Sequence, residues 1–237
     1  MGKLRNNTIM LTHAEWETLR LSLFVATIAV AGSLPFGMGL AWLLARKAFW
    51  GKTLVETAVN LPLVMPPVVT GYLLLVILGR RGWLGSRLEA WFGLEFVFDW
   101  KGAALASAVM AFPLMVRPIR LAFAGVDPRL ETASRTLGAG RLATLWRITL
   151  PLARPGIIAG CVLSFARSLG EFGATIMIAG DIPGETRTIP LHIYSLLQSP
   201  GGIQQAHALI AVSIAMAAAA IFAGEVFERR SLRYRTQ

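Results

Sequence analysis

The chain of 237 residues is 55% hydrophobic and 15% charged, with a mean hydropathy of +0.59, far from the charge content of about 25% of soluble domains, so a soluble globular protein is excluded. The net charge of +10 would suit nucleic acid, but the basic residues flank apolar stretches without an RNA- or DNA-binding signature, and membrane spans with positive flanks account for them. The single cysteine, Cys161, lies inside an apolar stretch, which excludes an intrachain disulfide.

The opening "MGKLRNNTIMLTHAEWETLR" is polar and has no short apolar core before a small-residue cleavage site, so no removable signal peptide is expected. Leu19 to Leu44 forms the first span, followed at once by Arg46, Lys47 and Lys52. The second, Thr53 to Leu78, contains "NLPLVMPPVVTGY". Pro62, Pro66 and Pro67 remove amide donors and clash with the preceding turn, so this span must bend or unwind. Irregular backbone survives at membrane depth only where protein or a water-filled cavity covers it, which marks the segment as a candidate lining of a pathway. Further spans are expected at Gly102 to Val126, Pro155 to Gly180 and Ile203 to Gly224; "TIPLHIYSLLQSPGG" between the last two is too short to cross and reads as an interfacial helix. The fold class is therefore an all-α polytopic membrane protein of about five transmembrane helices. No Ser/Gly-rich linker divides it, so residues 1–237 are expected to form a single domain. Basic residues concentrate in 46–52, 129–154 and 229–235 rather than in 80–101, which places the C-terminus in the cytoplasm and the N-terminus outside.

Charged side chains stand inside these spans. Arg167 and Glu171, in "SFARSLGEFGATIM", are four apart in the fourth span, hence on one face of a continuous helix and within reach of each other. Charge near the bilayer midplane costs several kcal/mol unless paired or hydrated. Two readings stay open: the pair stabilises a helix contact or gate, with Gly170 and Gly173 allowing close approach, or it lines a pathway for an anion. Arg117 and Arg120, in "FPLMVRPIR", pose the same choice; Arg120 can snorkel to the interface, whereas Arg117 lies deeper and is the candidate pathway residue. "GKT" at 51–53 is not a phosphate loop, because the required glycine five positions earlier is Arg46. His13, His192 and His207 form no H-E-x-x-H pattern, and G-x-S-x-G is absent from the sequence. Neither an enzyme nor a metal or cofactor site is expected.

The loop between the third and fourth spans carries the most information: "LETASRTLGAGRLATLWRITLPLARPG", residues 130–156. A helix is expected from Pro128 to about Leu137, a break at Gly138 and Gly140, a second helix to Pro151, and a sharp re-entry into the membrane at Pro151 and Pro155. This resembles the cytoplasmic coupling loop of ATP-binding-cassette importer permeases, E-A-A followed by Gly and I-x-L-P. Gly138, Ile148, Leu150 and Pro151 match. The triplet falls on Thr132, Ala133 and Ser134, of which only the alanine matches, and Glu131, one position earlier, is the candidate for the acidic role.

Within that superfamily, "LPLVMPPVVTGYLLLVILGRRGWLG", "AFPLMVRPIRLAFAGVD", "RTLGAGR", "FARSLGEFGATI" and "IPGETRTIP" resemble segments of molybdate permease subunits in the same order, over about residues 15–229. Sulfate and thiosulfate permeases share a version of the Arg-x-x-x-Glu-Phe-Gly segment. The resemblance implies the type I importer transmembrane-domain fold, a coupling loop at about 128–151, and a bacterial inner-membrane location in the lipid bilayer. It also implies a homodimer, two partner ATPase subunits that bind the ATP, a periplasmic or extracellular molybdate-binding protein, and import of molybdate or tungstate by alternating access; no nucleic acid partner is expected. The rival of another mechanism is an ion-coupled secondary transporter, which should show an internal inverted repeat that is not visible here.

Overall fold

The computed structural model describes residues 12–233, with side chains as far as Val226; the two ends of the expected domain, residues 1–11 and 234–237, lie outside them. Every element among the described residues is helical. Helix α1, His13–Arg46, opens with a capping box in which the Thr12 and Glu15 side chains bond each other's backbone amides, which satisfies two otherwise orphaned donors. At its far end lies the short loop to α2, Lys52–Val64.

Pro66 and Pro67 act as expected, whereas Pro62 lies within α2, which continues past it to Val64. Met65 is extended (ψ 144°), the conformation that a following proline forces on its predecessor. Pro66 caps α3, Pro67–Leu78, and Pro67 occupies its first turn, where a missing N–H costs nothing. The axes of α2 and α3 differ by 113°. The expected second span is therefore two short helices joined at a sharp bend, after which comes the short α4, Gly85–Phe92.

Helix α5, Trp100–Ala124, is the centre of the bundle and packs against both α1 and α8. Small residues make this possible: Ala103, Ala106, Ser107 and Ala111 are all at most 1% exposed, so the neighbouring backbones approach closely. Ala103, Ala106 and Met110 form one core with Val25, Ala174 and Ile178; Met115, Ile119 and Phe123 form a second with Ala41, Leu44 and Ala153.

The loop helix α6, Pro128–Thr136, follows, capped by the Asp127 side chain. Here one expectation fails. The second loop helix does not stop at Pro151: α7 (Arg141–Thr144), a π-helical turn (Leu145–Thr149) and α8 (Leu150–Leu169) run on as one helix of 29 residues. A proline clashes with the carbonyl four residues back. The wider turn, in which the Leu150 N–H bonds the Leu145 carbonyl, moves that carbonyl aside, so the helix continues without a sharp re-entry at Pro151 or Pro155.

The fourth span also differs from its expected form. It is not one helix from Pro155 to Gly180; α8 ends at Leu169, residues 170–172 are non-helical, and α9 covers Gly173–Ala179. The run stays apolar on both sides of the Arg167–Glu171 pair, so it reads as one span and not as two helices. Helix α10, Ile189–Leu197, is the short interfacial helix expected, and α11 extends over Gly202–Arg233. Among the described residues, α1, α5, α7–α8 and α11 are long and apolar enough to cross a membrane, and α2 with α3 makes a fifth crossing if the bent pair is one span.

Candidate functional site

The first polar site lies at the end of the bundle that carries α6. Glu131, in the first turn of α6, accepts a hydrogen bond from Arg46 Nη2 at 2.9 Å through Oε1, and one from the Thr149 hydroxyl at 2.8 Å through the same atom. Arg46 is the last residue of α1 and also donates to the Val126 carbonyl, 3.2 Å away. Arg135 stands 3.8 Å from Glu131 Oε2. One carboxylate thus joins the end of α1, the loop helix and the π-helical turn that leads into α8. Both partners of the Arg46 pair are only about one-sixth exposed (16% and 14%), where an ion pair is screened far less than on the surface.

The rest of the expected loop residues arrange around this clasp. Thr132 bonds back to the Pro128 carbonyl, Ala133 is exposed, and Ser134 lies 3.3 Å from the Thr144 hydroxyl, which ties α6 to α7. Gly138 has φ +89°, and a Cβ at this position would meet nothing within 4 Å, so it is backbone strain rather than space that demands glycine at this turn. Ile148 is half-buried in the π turn, Leu150 packs on the second core, and Pro151 is exposed. Leu137, Leu142 and Trp146 turn 88%, 68% and 65% of their surface outward on this basic loop.

A second site joins α2 to α5. Arg120 pairs with Glu56 at 2.9 Å, and Arg117 donates through Nε to Asn60 Oδ1 at 2.9 Å. Asn60 in turn donates from Nδ2 to the Glu56 carbonyl, which fixes the amide so that its oxygen faces the arginine. Arg120 does not snorkel freely to the interface; it holds α2. Sequence reasoning missed both acceptors, although the spacing carried a signal: Glu56 and Asn60 are one helical turn apart, as Arg117 and Arg120 nearly are.

The third site is the break between α8 and α9. Arg167 and Glu171 do pair, at 2.7 Å, with side chains 30% and 1% exposed. They do not share a helical face, because Glu171 lies past the end of α8. Its Oε1 accepts from the Ala174 N–H at 2.9 Å and caps α9. Oε2 faces Arg167, so the two oxygens serve the two half-helices separately. A Cβ on Gly173 would meet the Pro67 side chain at 2.8 Å, so this glycine permits close approach to α3 within the same chain; a Cβ on Gly170 would meet only the Arg167 carbonyl oxygen, at 3.9 Å. The start of α3, at Pro67, and the start of α9, at Gly173, are therefore brought together, while Pro62 lies in α2 on the other side of the bend.

His192 on α10 is buried, 3.0 Å from the Thr18 hydroxyl of α1 through Nδ1. Burial, with the nearby positive charge of Arg187, holds its pKa below the ordinary histidine value; it works as a structural contact between α10 and α1. Among the described residues no three His, Cys, Asp or Glu side chains gather closely enough to hold a metal ion.

A bundle of several apolar helices with two helix breaks, charged groups paired between its helices and at one of the breaks, and a clasped basic loop at one end is the architecture of a membrane transport subunit. Residues 33–232 match the family described as the binding-protein-dependent transport system inner membrane component, and the chain belongs to that family. It is 58% identical over 223 residues to the molybdenum transport system permease protein ModB of Escherichia coli (strain K12), an alignment that covers 94% of this chain and 97% of that one. It is more distantly similar, at 37% over 204 residues, to the sulfate transport system permease protein CysT of Salmonella typhimurium, covering 85% of this chain and 72% of that one. Among solved structures, a bacterial alginate ABC transporter in complex with an alginate pentasaccharide-bound periplasmic protein contains a chain that superposes with a TM-score of 0.74. The overlap covers 97% of this chain and 83% of that one at 21% identity, which establishes a shared fold, that of type I importer transmembrane domains.

Proposed function

We propose that this chain is the transmembrane permease subunit of an ATP-driven importer that brings molybdate into the cytoplasm by alternating access. The observation that carries the substrate is the near full-length likeness, at 58% identity, to a molybdenum permease, against 37% to a sulfate permease. The functional unit in this reading is a homodimer with two ATPase subunits on the α6 side and a substrate-loaded binding protein opposite. The C-terminus is cytoplasmic and the N-terminus outside, in keeping with the positive charge of the α6 end. Nucleotide binds to the partner ATPase, since no phosphate loop is present in the sequence.

Residues 128–151 receive the ATPase. Leu137, Leu142 and Trp146 are apolar side chains exposed on a charged loop, the pattern of a surface that a protein partner covers. Glu131 supplies the link inward. Movement of α6 pulls on α1 through Arg46 and on α8 through Thr149, so one push at the loop reaches two spans.

The test is ATP-dependent uptake in proteoliposomes that hold this chain, its ATPase and its binding protein. Molybdate uptake that excess sulfate fails to suppress is the expected result. Suppression by sulfate would assign the chain to sulfate import, and no ATP-dependent uptake of either anion by assembled complexes would overturn the reading.

A further inference from the structure

The guanidinium groups at the apolar helices are not balanced alike. Arg46 faces Glu131, Arg120 faces Glu56, and Arg167 faces Glu171, each within 3 Å. Arg117 faces only a neutral amide, Asn60, and among the described residues no carboxylate lies within ion-pair distance of it. Asn60 engages Nε alone, so both terminal nitrogens, with four N–H donors, point away from the bond that orients them. Arg117 is also exposed in the isolated subunit.

Its distance from the helix ends makes this costly. Asn60 lies two helical turns from Lys52, or about 12 Å along α2, and Arg117 about 10 Å from the end of α5 at Ala124. With these helix ends taken as the edge of a hydrocarbon layer about 30 Å thick, both fall inside it. A bare guanidinium facing lipid there costs several kcal/mol. The non-helical Met65–Pro66 backbone, one turn further along α2, equally requires protein or a wet cavity around it. Two independent features of one helix pair thus call for protein or water rather than lipid around it, and one of them leaves a positive charge there.

Resting on the permease reading above, the geometry points to Arg117 as the anion contact of the translocation pathway, with Asn60 as its positioning residue. In a homodimer two copies supply two positive charges, equal and opposite to a tetrahedral oxodianion such as molybdate or sulfate. The neutral acceptor is what keeps the contact available: a carboxylate at position 60 would neutralise the arginine as Arg46, Arg120 and Arg167 are neutralised. Asn60 holds Nε without competing for the terminal donors. Two hydrogen-bonding arms without a closed cage bind the anion briefly, and release on the cytoplasmic side remains fast.

The experiment uses the complete complex in proteoliposomes with molybdate as probe, and reads both uptake and ATP hydrolysed per anion imported. Asn60→Asp, which retains the arginine, is expected to lower uptake by about tenfold or more, the scale of losing one charge-assisted contact, and to raise the ATP consumed per anion. Arg117→Gln should match it, and Arg117→Lys should fall between. A merely structural role predicts the opposite order, with Asn60→Asp neutral or improved because it adds an ion pair. Uptake by Asn60→Asp above half the wild-type rate would overturn the assignment, as would a loss of uptake with the ATP-to-anion ratio unchanged. If Arg117→Gln does not assemble, Asn60→Asp decides alone. Failure of the wild-type complex to import molybdate would instead refute the permease reading.

Discussion

Glu131 and Glu171 are both shielded carboxylates paired with an arginine, yet they connect the chain on different scales. Glu131 bonds residues 85 and 18 positions away in sequence, and so binds together elements that the chain itself does not link. Glu171 bonds residues four and three positions away, and shapes one local break. The first ties three elements together, as the proposed coupling requires; the second sets where a helix stops and restarts. A buried charge pair is weak evidence of stability by itself, since desolvation offsets most of the attraction. What distinguishes the two sites is the set of elements that each one ties.

Breaking the local site should do the most damage to the folded protein. Glu171→Ala leaves Arg167 without its counter-charge and α9 without its cap. We expect a loss of about 3 kcal/mol, at the low end for a broken buried pair because Arg167 keeps partial exposure. Thermal unfolding of the detergent-solubilised subunit measures it; an unchanged midpoint would show that the break is held by packing alone. Gly138→Val comes next. A β-branched residue at the φ of +89° costs about 1–2 kcal/mol of local strain, confined to the loop, so the subunit should insert normally while uptake is abolished. Normal uptake would remove Gly138 from the coupling role. The smallest effect sharpens the comparison most. Thr149→Val keeps shape and removes one hydrogen bond to Glu131, worth about 1 kcal/mol. Unfolding should shift little, but ATP hydrolysed per anion imported should rise, because the link from α6 to α8 is loosened while that to α1 is kept. An unchanged ratio would mean that Glu131 acts through Arg46 alone.

Much of the molecule could be read along the chain. The apolar stretches located all five candidate crossings, because a membrane segment records its environment in composition over about 20 residues. Pro66 and Pro67 located the bend in the second, because proline acts on the residues next to it. Gly138 was legible for the same reason: a left-handed turn is a local demand. The break at residues 170–172 was not legible. Gly170 and Gly173 stand there, but glycine is common in membrane helices, and the apolar run continues on either side.

What only the tertiary structure decided is which charges meet. Glu131 could be singled out from its place beside the Thr132–Ser134 triplet, but its bonds to Arg46 and Thr149 cross from one helix to another. No periodicity within a single helix encodes such a contact. The same holds for Arg117 and Arg120, which were conspicuous as charges in an apolar run while Asn60 and Glu56, their acceptors on α2, were not. Hydropathy and helical spacing are properties of neighbours in sequence and survive translation into residues one by one. Ion pairing at membrane depth depends on which faces α1, α2, α5, α6 and α8 turn toward one another, and that is set by how the small residues of α5 let its neighbours close around it.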